Sequence, residues 1–188
     1  GNVVTIIDET ADTQAAAAKI AISKTFDNAT SCSSENSVIV IEEVYEETVQ
    51  YLRDEGGLLL NDEEADRLIN IHWKNGKMTT DLLAQDIDVI IDKVGLGKRA
   101  KENTKFLILP TNKAGPSEVV CGEKMSRFLT LYKVKSFSEA IDLAIKIQDY
   151  QGAGHSLGIH TQKEDRAHKI AMSAKTCRVI INQAHCFA

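Results

Sequence analysis

Short runs of β-branched and apolar residues, parted by longer amphipathic segments, recur along the chain and restrict its fold more than any other feature. Val3-Val-Thr-Ile-Ile7 opens the series, and 37–41, 105–109, 128–134, 155–160 and 177–181 repeat it. Several of these runs are apolar almost throughout, so they read as strands covered on both sides. Between them the apolar residues fall at helical spacing. Ala15, Ala18, Ile20 and Ile22 mark a helix over 11–24, with Asp8 or Thr10 as its cap. Val44, Thr48, Tyr51 and Leu52 mark another over 43–55, and Ala65, Leu68, Ile69 and Trp73 one over 62–73 capped by Asn61. Leu83, Ile87, Ile90 and Ile91 place a helix over 81–94, and two more are expected over 137–150 and 162–174. Strand–helix alternation with buried strands predicts a single α/β domain with a mainly parallel sheet flanked by helices.

In such sheets ligands gather in crevices at the carboxyl ends of strands. On that ground the loops around Cys32, 115–127 and 152–155 are the expected site. The stretch Thr25-Phe-Asp-Asn-Ala-Thr-Ser-Cys-Ser-Ser-Glu-Asn36 is made of small polar residues that compete with regular structure for backbone hydrogen bonds. Cys32, in its middle, is either a nucleophile on a stiff mount or a small interior residue. His155 follows Gly152-Ala-Gly154, a turn that can bring a side chain against a substrate. Its imidazole is either a proton carrier or a hydrogen-bonded structural histidine. Glu35 is read as a partner for backbone or a neighbouring charge, and His72, His160, His168 and His185 as structural.

Several classes are excluded. The net charge of −5, without a basic stripe, argues against nucleic acid. No apolar run approaches the ~20 residues of a membrane span. Cys32, Cys121, Cys177 and Cys186 form no Cys-x-x-Cys pair, so no metal site is expected and reduced thiols in a cytoplasmic protein are. The sequence begins within a strand pattern and stops just past another, which reads as a piece cut from a larger protein.

Five ordered segments carry a family resemblance. They are Gly1-Asn-x-x-x-Ile-Ile-Asp-Glu-Thr-Ala-Asp12, Phe26-Asp-Asn-x-x-x-Cys32-x-Ser-Glu-x-Ser-Val-Ile-Val40, Gly122-Glu-Lys-Met-Ser126, Gly154-His155 and Arg178-Val-Ile-Ile-Asn182. Together they resemble the aldehyde dehydrogenase superfamily in its CoA-acylating branch. Thr25–Asn36 and Asp149-Tyr-Gln-Gly-Ala-Gly-His-Ser156 are similar to acylating sulfoacetaldehyde dehydrogenases.

The resemblance implies a catalytic domain over 1–188, with the dinucleotide-binding domain absent from this chain and the isolated piece inactive. It makes Cys32 the nucleophile, forming a thiohemiacetal and then a thioester, and His155 the acceptor of the coenzyme A thiol proton. Glu123 would contact the ribose of NAD or NADP. Arg127 and Arg178 are the cationic candidates for a sulfonate substrate. The expected partners are a small aldehyde, coenzyme A and, in the full-length protein, further copies of itself. Two rivals remain: another acylating aldehyde dehydrogenase, with acetaldehyde or a longer aldehyde as substrate, and a non-catalytic oligomerisation or binding module.

Overall fold

The computed structural model describes residues 1–100 and 102–188. Strands β1 (Val3–Ile7) and β2 (Glu35–Ile41) are buried at every position. Helix α1 (Thr13–Thr25) joins them. A three-residue 3₁₀ turn then leads into α2 (Tyr45–Asp54). Next come β3 (Gly57–Leu59), α3 (Asp62–His72) and a small hairpin of β4 (Trp73–Lys74) and β5 (Lys77–Met78). Helix α4 (Ile87–Val94), β6 (Phe106–Pro110), β7 (Phe128–Val134) and α5 (Phe137–Tyr150) follow. The chain ends with β8 (Ser156–His160), α6 (Glu164–Ser173) and β9 (Arg178–Ile181).

Seven strands form one sheet in the order β3-β6-β7-β2-β1-β8-β9, and every pairing in it is parallel. Alternate strand residues sort to opposite faces, as the pleat requires. Val38, Val40, Ile108 and Leu131 meet α1 and α2. Ile39, Ile41, Tyr132 and Ile159 meet α5 and α6, while Leu107, Leu109 and Phe128 meet α3 and α4. This is the expected flanked parallel sheet, and no helix among the described residues is long and apolar enough to cross a membrane.

Three local expectations are corrected. Asp12, not Asp8 or Thr10, caps α1, its carboxylate accepting the Ala15 N–H at 2.9 Å. Asp8 is instead buried and paired with Arg166 at 2.7 Å. The helix expected from 81 starts only at Ile87, because Ala84 takes a left-handed φ of 56° and its N–H bonds the Met125 carbonyl at 2.9 Å. Trp73 leaves α3 for the hairpin, whose Asn75-Gly76 turn has φ of 52° and 73°, the pair of positive values a two-residue type I′ turn needs.

Candidate functional site

The loops singled out by sequence do converge, but at the amino ends of the strands rather than the carboxyl ends. The Cys32 loop precedes β2, Glu123 precedes β7, Gly1 and Asn2 precede β1, His155 precedes β8, and Arg178 starts β9. These five strands are neighbours in the sheet, so their leading segments form one continuous rim. The carboxyl-end rule for parallel sheets is therefore not followed here: the candidate residues gather at the opposite rim.

The mount of Cys32 is a tight left-handed turn. Asp27, Asn28 and Ala29 have φ of 47°, 50° and 60°. Asp and Asn enter this region at low cost, whereas alanine pays roughly 1–2 kcal/mol. Local bonds hold the turn: Thr30 N–H and Oγ both donate to the Asp27 carbonyl, and the Thr30 hydroxyl also reaches the Asp27 carboxylate at 2.7 Å. Asn28 donates across to Asp86 at 3.0 Å. Cys32 then sits exposed on the following turn. The Ser33 and Ser34 N–H groups fold back onto Ser31, while the Cys32 N–H donates to no acceptor among the described residues.

His155 faces this loop across Gly1. A Cβ built on Gly1 would lie 2.7 Å from the Cys32 carbonyl oxygen and 2.7 Å from His155 Nε2. Only glycine lets the two come this close. The His155 ring is half-buried, and its pKa is lowered by burial and by the Arg178 guanidinium, with Glu123 opposing. Arg178 reaches the residue beside the thiol, its Nη2 lying 3.2 Å from Ser33 Oγ, and is otherwise exposed. Glu123 Oε1 bonds the Gly1 nitrogen at 2.8 Å, and its side chain is 19% exposed. Arg127 stands directly before β7, and its buried Nε has no hydrogen-bond partner among the described residues. Its carbonyl accepts the Leu107 N–H on the β6 side, and among the described residues no hydrogen bond or ion pair joins it to Cys32, His155 or Arg178.

Buried polar residues fasten the rim from beneath. Asn2 Nδ2 donates to the carbonyls of Cys121 and Gln151, at 2.8 and 3.0 Å. Gln151 Oε1 accepts the Glu123 N–H at 2.7 Å, and Asn36 Oδ1 accepts the Lys124 N–H at 2.9 Å. Lys124 is wholly buried, its ammonium on the carbonyls of Val120 and Gly122. Glu35 is also wholly buried. One oxygen accepts the His185 backbone N–H at 3.2 Å, and burial raises its pKa to about 7. Lys24 Nζ bonds the Glu35 carbonyl at 3.0 Å, and burial lowers its pKa to about 8. Among the described residues no cluster of His, Cys, Asp or Glu has the makings of a metal site.

Sequence reasoning missed Asn2, Ser156 and His185. Asn2 has no local signal of its own, since it sits inside the opening strand pattern. Ser156 and His185 are 29 residues apart and meet only because β8 and the last turn share an end of the sheet, the serine Oγ 2.8 Å from His185 Nε2.

Residues 1–188 match the family model for the aldehyde dehydrogenase family. The chain belongs to the aldehyde dehydrogenase family. It is 39% identical over its full length to the acylating sulfoacetaldehyde dehydrogenase of Cupriavidus necator, of which it spans 38%. It is 34% identical, over 97% of its length, to the bifunctional aldehyde-alcohol dehydrogenase of Escherichia coli, of which it spans 20%. Its fold superimposes on an acetylating aldehyde dehydrogenase from Geobacillus thermoglucosidasius with a TM-score of 0.94 and 31% identity, covering 100% of this chain and 41% of that one. The aldehyde dehydrogenase chain thus spans well under half the length of these relatives.

Proposed function

We propose that this chain is the thiol-bearing catalytic domain of a CoA-acylating aldehyde dehydrogenase. The observation that carries the reading is the approach of His155 to the Cys32 loop across Gly1, on a rim where the thiol is exposed. The activities for which its relatives are named, acylating and acetylating, agree with acyl transfer.

Cys32 attacks the aldehyde carbon to give a thiohemiacetal, and its unengaged N–H is available to the developing oxyanion. Glu123 offers carboxylate acceptors suited to the ribose hydroxyls of a nicotinamide nucleotide, and the donor set therefore fits that group. Bound there, a nicotinamide would supply the hydride acceptor that turns the thiohemiacetal into a thioester. His155, held neutral by its lowered pKa, accepts the proton of the incoming coenzyme A thiol. The coenzyme A sulfur then takes the acyl carbon, and Cys32 leaves as thiolate. Other parts of the nicotinamide and coenzyme A sites would come from chain beyond these residues. Arg178, beside Ser33, suits an aldehyde with an anionic tail such as sulfoacetaldehyde. Arg127 stays a weaker candidate for the same contact.

The test is an aldehyde panel on the protein that carries this chain, following reduced nicotinamide with and without coenzyme A. Turnover that needs coenzyme A, and is abolished by Cys32→Ala, is expected. Steady turnover without coenzyme A would overturn the acylating reading, and full activity of Cys32→Ala would overturn the nucleophile.

A further inference from the structure

One buried amide ties the thiol loop to the segment that carries Glu123. Asn36 lies just past Cys32, near the start of β2, and is almost wholly buried. Where β1 pairs with β2, Val3 lies opposite Glu35 and Val4 opposite Ser37, so Asn36 is the extra residue of a β-bulge. Bulges are rare between parallel strands, and they re-aim a side chain out of the regular alternation. The re-aimed amide uses both ends. Its Nδ2 donates to the Ser34 carbonyl at 3.1 Å, and its Oδ1 accepts the Lys124 N–H at 2.9 Å. Its backbone is pinned as well. The Asn36 carbonyl accepts Thr130 Oγ1 at 3.1 Å, and Thr130 Oγ1 in turn lies 2.9 Å from Ser37 Oγ.

Each end of the amide lands on a candidate site segment. The Ser34 N–H donates to the Ser31 carbonyl at 3.0 Å and closes the turn that contains Cys32. The Lys124 N–H belongs to the peptide unit that follows Glu123, and the Glu123 N–H itself bonds Gln151 Oε1 at 2.7 Å. Lys124 Nζ folds back on the carbonyls of Val120 and Gly122, at 2.9 and 2.8 Å. Glu123 is thus gripped on both sides along the chain, and its carboxylate stands on a stiff mount.

We infer that Asn36 is a positioning residue that sets the separation between the Cys32 thiol and the Glu123 carboxylate. The backbone ladder between β2 and β7 begins only at Ser37 and Thr130, so both site segments lie beyond its end. Asn36 extends that ladder by one side chain. A primary amide carries a donor and an acceptor at a fixed spacing, so neither segment can shift without breaking a bond. Both bonds are buried, where no water replaces a lost partner. The consequence rests on the proposed function. There Glu123 holds the ribose of the nucleotide and Cys32 bears the thiohemiacetal, so Asn36 fixes how far the hydride travels. The later transfer to coenzyme A uses Cys32 and His155 and does not pass through Glu123.

Hydrogen exchange on the protein that carries this chain reads the tie without any turnover. Residues 122–126 are expected to exchange slowly, and roughly 10-fold faster in Asn36→Ala, the value of one hydrogen bond, with α5 unchanged. Rapid exchange there in the unmodified protein overturns the inference, whether or not the variant folds. In turnover, Asn36→Ala is expected to raise the KM for the nicotinamide nucleotide and to slow the initial burst of reduced nicotinamide, each roughly 10- to 100-fold. Release of the acyl group from preformed acyl-enzyme by coenzyme A should keep its speed. Asn36→Asp keeps an acceptor for the Lys124 N–H and loses the donor to Ser34, so it should restore the KM but not the burst. Equal losses in the hydride and coenzyme A steps refute the positioning role, as do an unchanged KM and burst in folded Asn36→Ala. If Asn36→Ala fails to fold, a full-speed burst in Asn36→Asp refutes it. Glu123→Gln separates this inference from the reading beneath it. An unchanged nucleotide KM in that variant removes Glu123 from the ribose, and hydrogen exchange then decides the tie alone.

Discussion

Glu35→Gln is a sharp test of the buried network beneath Cys32. Glu35 is wholly buried, and one of its oxygens has no hydrogen-bond partner among the described residues. Burial is the main cause that raises its pKa from the ordinary 4.5 to about 7. Bonds from Ser23, its own backbone and His185, with the charge of Lys24, offset only part of that. The fold therefore prefers the neutral acid. The sign follows from proton uptake: between pH 4.5 and 7 the folded chain holds a proton that the unfolded chain has lost, so stability falls as pH rises. The full displacement is worth roughly 3 kcal/mol at about 1.36 kcal/mol per pH unit. It is present below pH 4.5 and lost as the pH passes 7. Glutamine imitates the neutral acid, keeps an acceptor for the His185 N–H and does not titrate. The depressed pKa of Lys24, about 8, acts above this window. Urea unfolding followed by the fluorescence of Trp73, the single tryptophan, measures both proteins at pH 5 and pH 7.5. Wild type is expected to lose roughly 2.5 kcal/mol relative to Glu35→Gln between these points. A gap that stays constant within about 0.5 kcal/mol would refute the reasoning, because it would mean Glu35 titrates alike in both states.

Three other substitutions probe separate links. Gly158→Ala should cost about 1–3 kcal/mol by overpacking, since its methyl would press on Thr5 and the His185 ring between strands with little freedom to move; an unchanged urea midpoint would rule out that crowding. Asn61→Ala removes a reciprocal cap in which Asn61 Oδ1 accepts the Glu64 N–H and Glu64 accepts the Asn61 N–H, both at 2.9 Å. A loss of about 1 kcal/mol in thermal or urea unfolding is expected. Arg178→Ala should lower kcat/KM roughly 10- to 100-fold for aldehydes with an anionic tail, the value of a charge-assisted hydrogen bond. Propionaldehyde should be spared, and equal losses on both kinds of aldehyde would remove Arg178 from substrate recognition.

Much of the scaffold was legible because its signals are local. The run Phe128–Val134 and the helix Phe137–Tyr150 fall where the hydrophobic period places them. The failures are also local in form but not in cause. Asp8 is a good cap by type, yet the fold buries it against Arg166, which lies 158 positions later. The helical stripe opens at Leu83, but the Ala84 N–H finds the Met125 carbonyl, and the helix starts only at Ile87.

The sequence alone determined the α/β class, the parallel sheet and the thiol loop, since hydrophobic period, turn chemistry and motif order are properties of neighbouring residues. It also pointed to Cys32, Glu123, His155 and Arg178 as candidates. Tertiary structure decided where they meet. Strand order brings the leading ends of β7, β2, β1, β8 and β9 side by side, which no periodicity encodes. It also decided which buried groups matter. Asn36 has ordinary sequence surroundings, and only its meeting with Lys124 across the leading ends of β2 and β7 gives it a part to play.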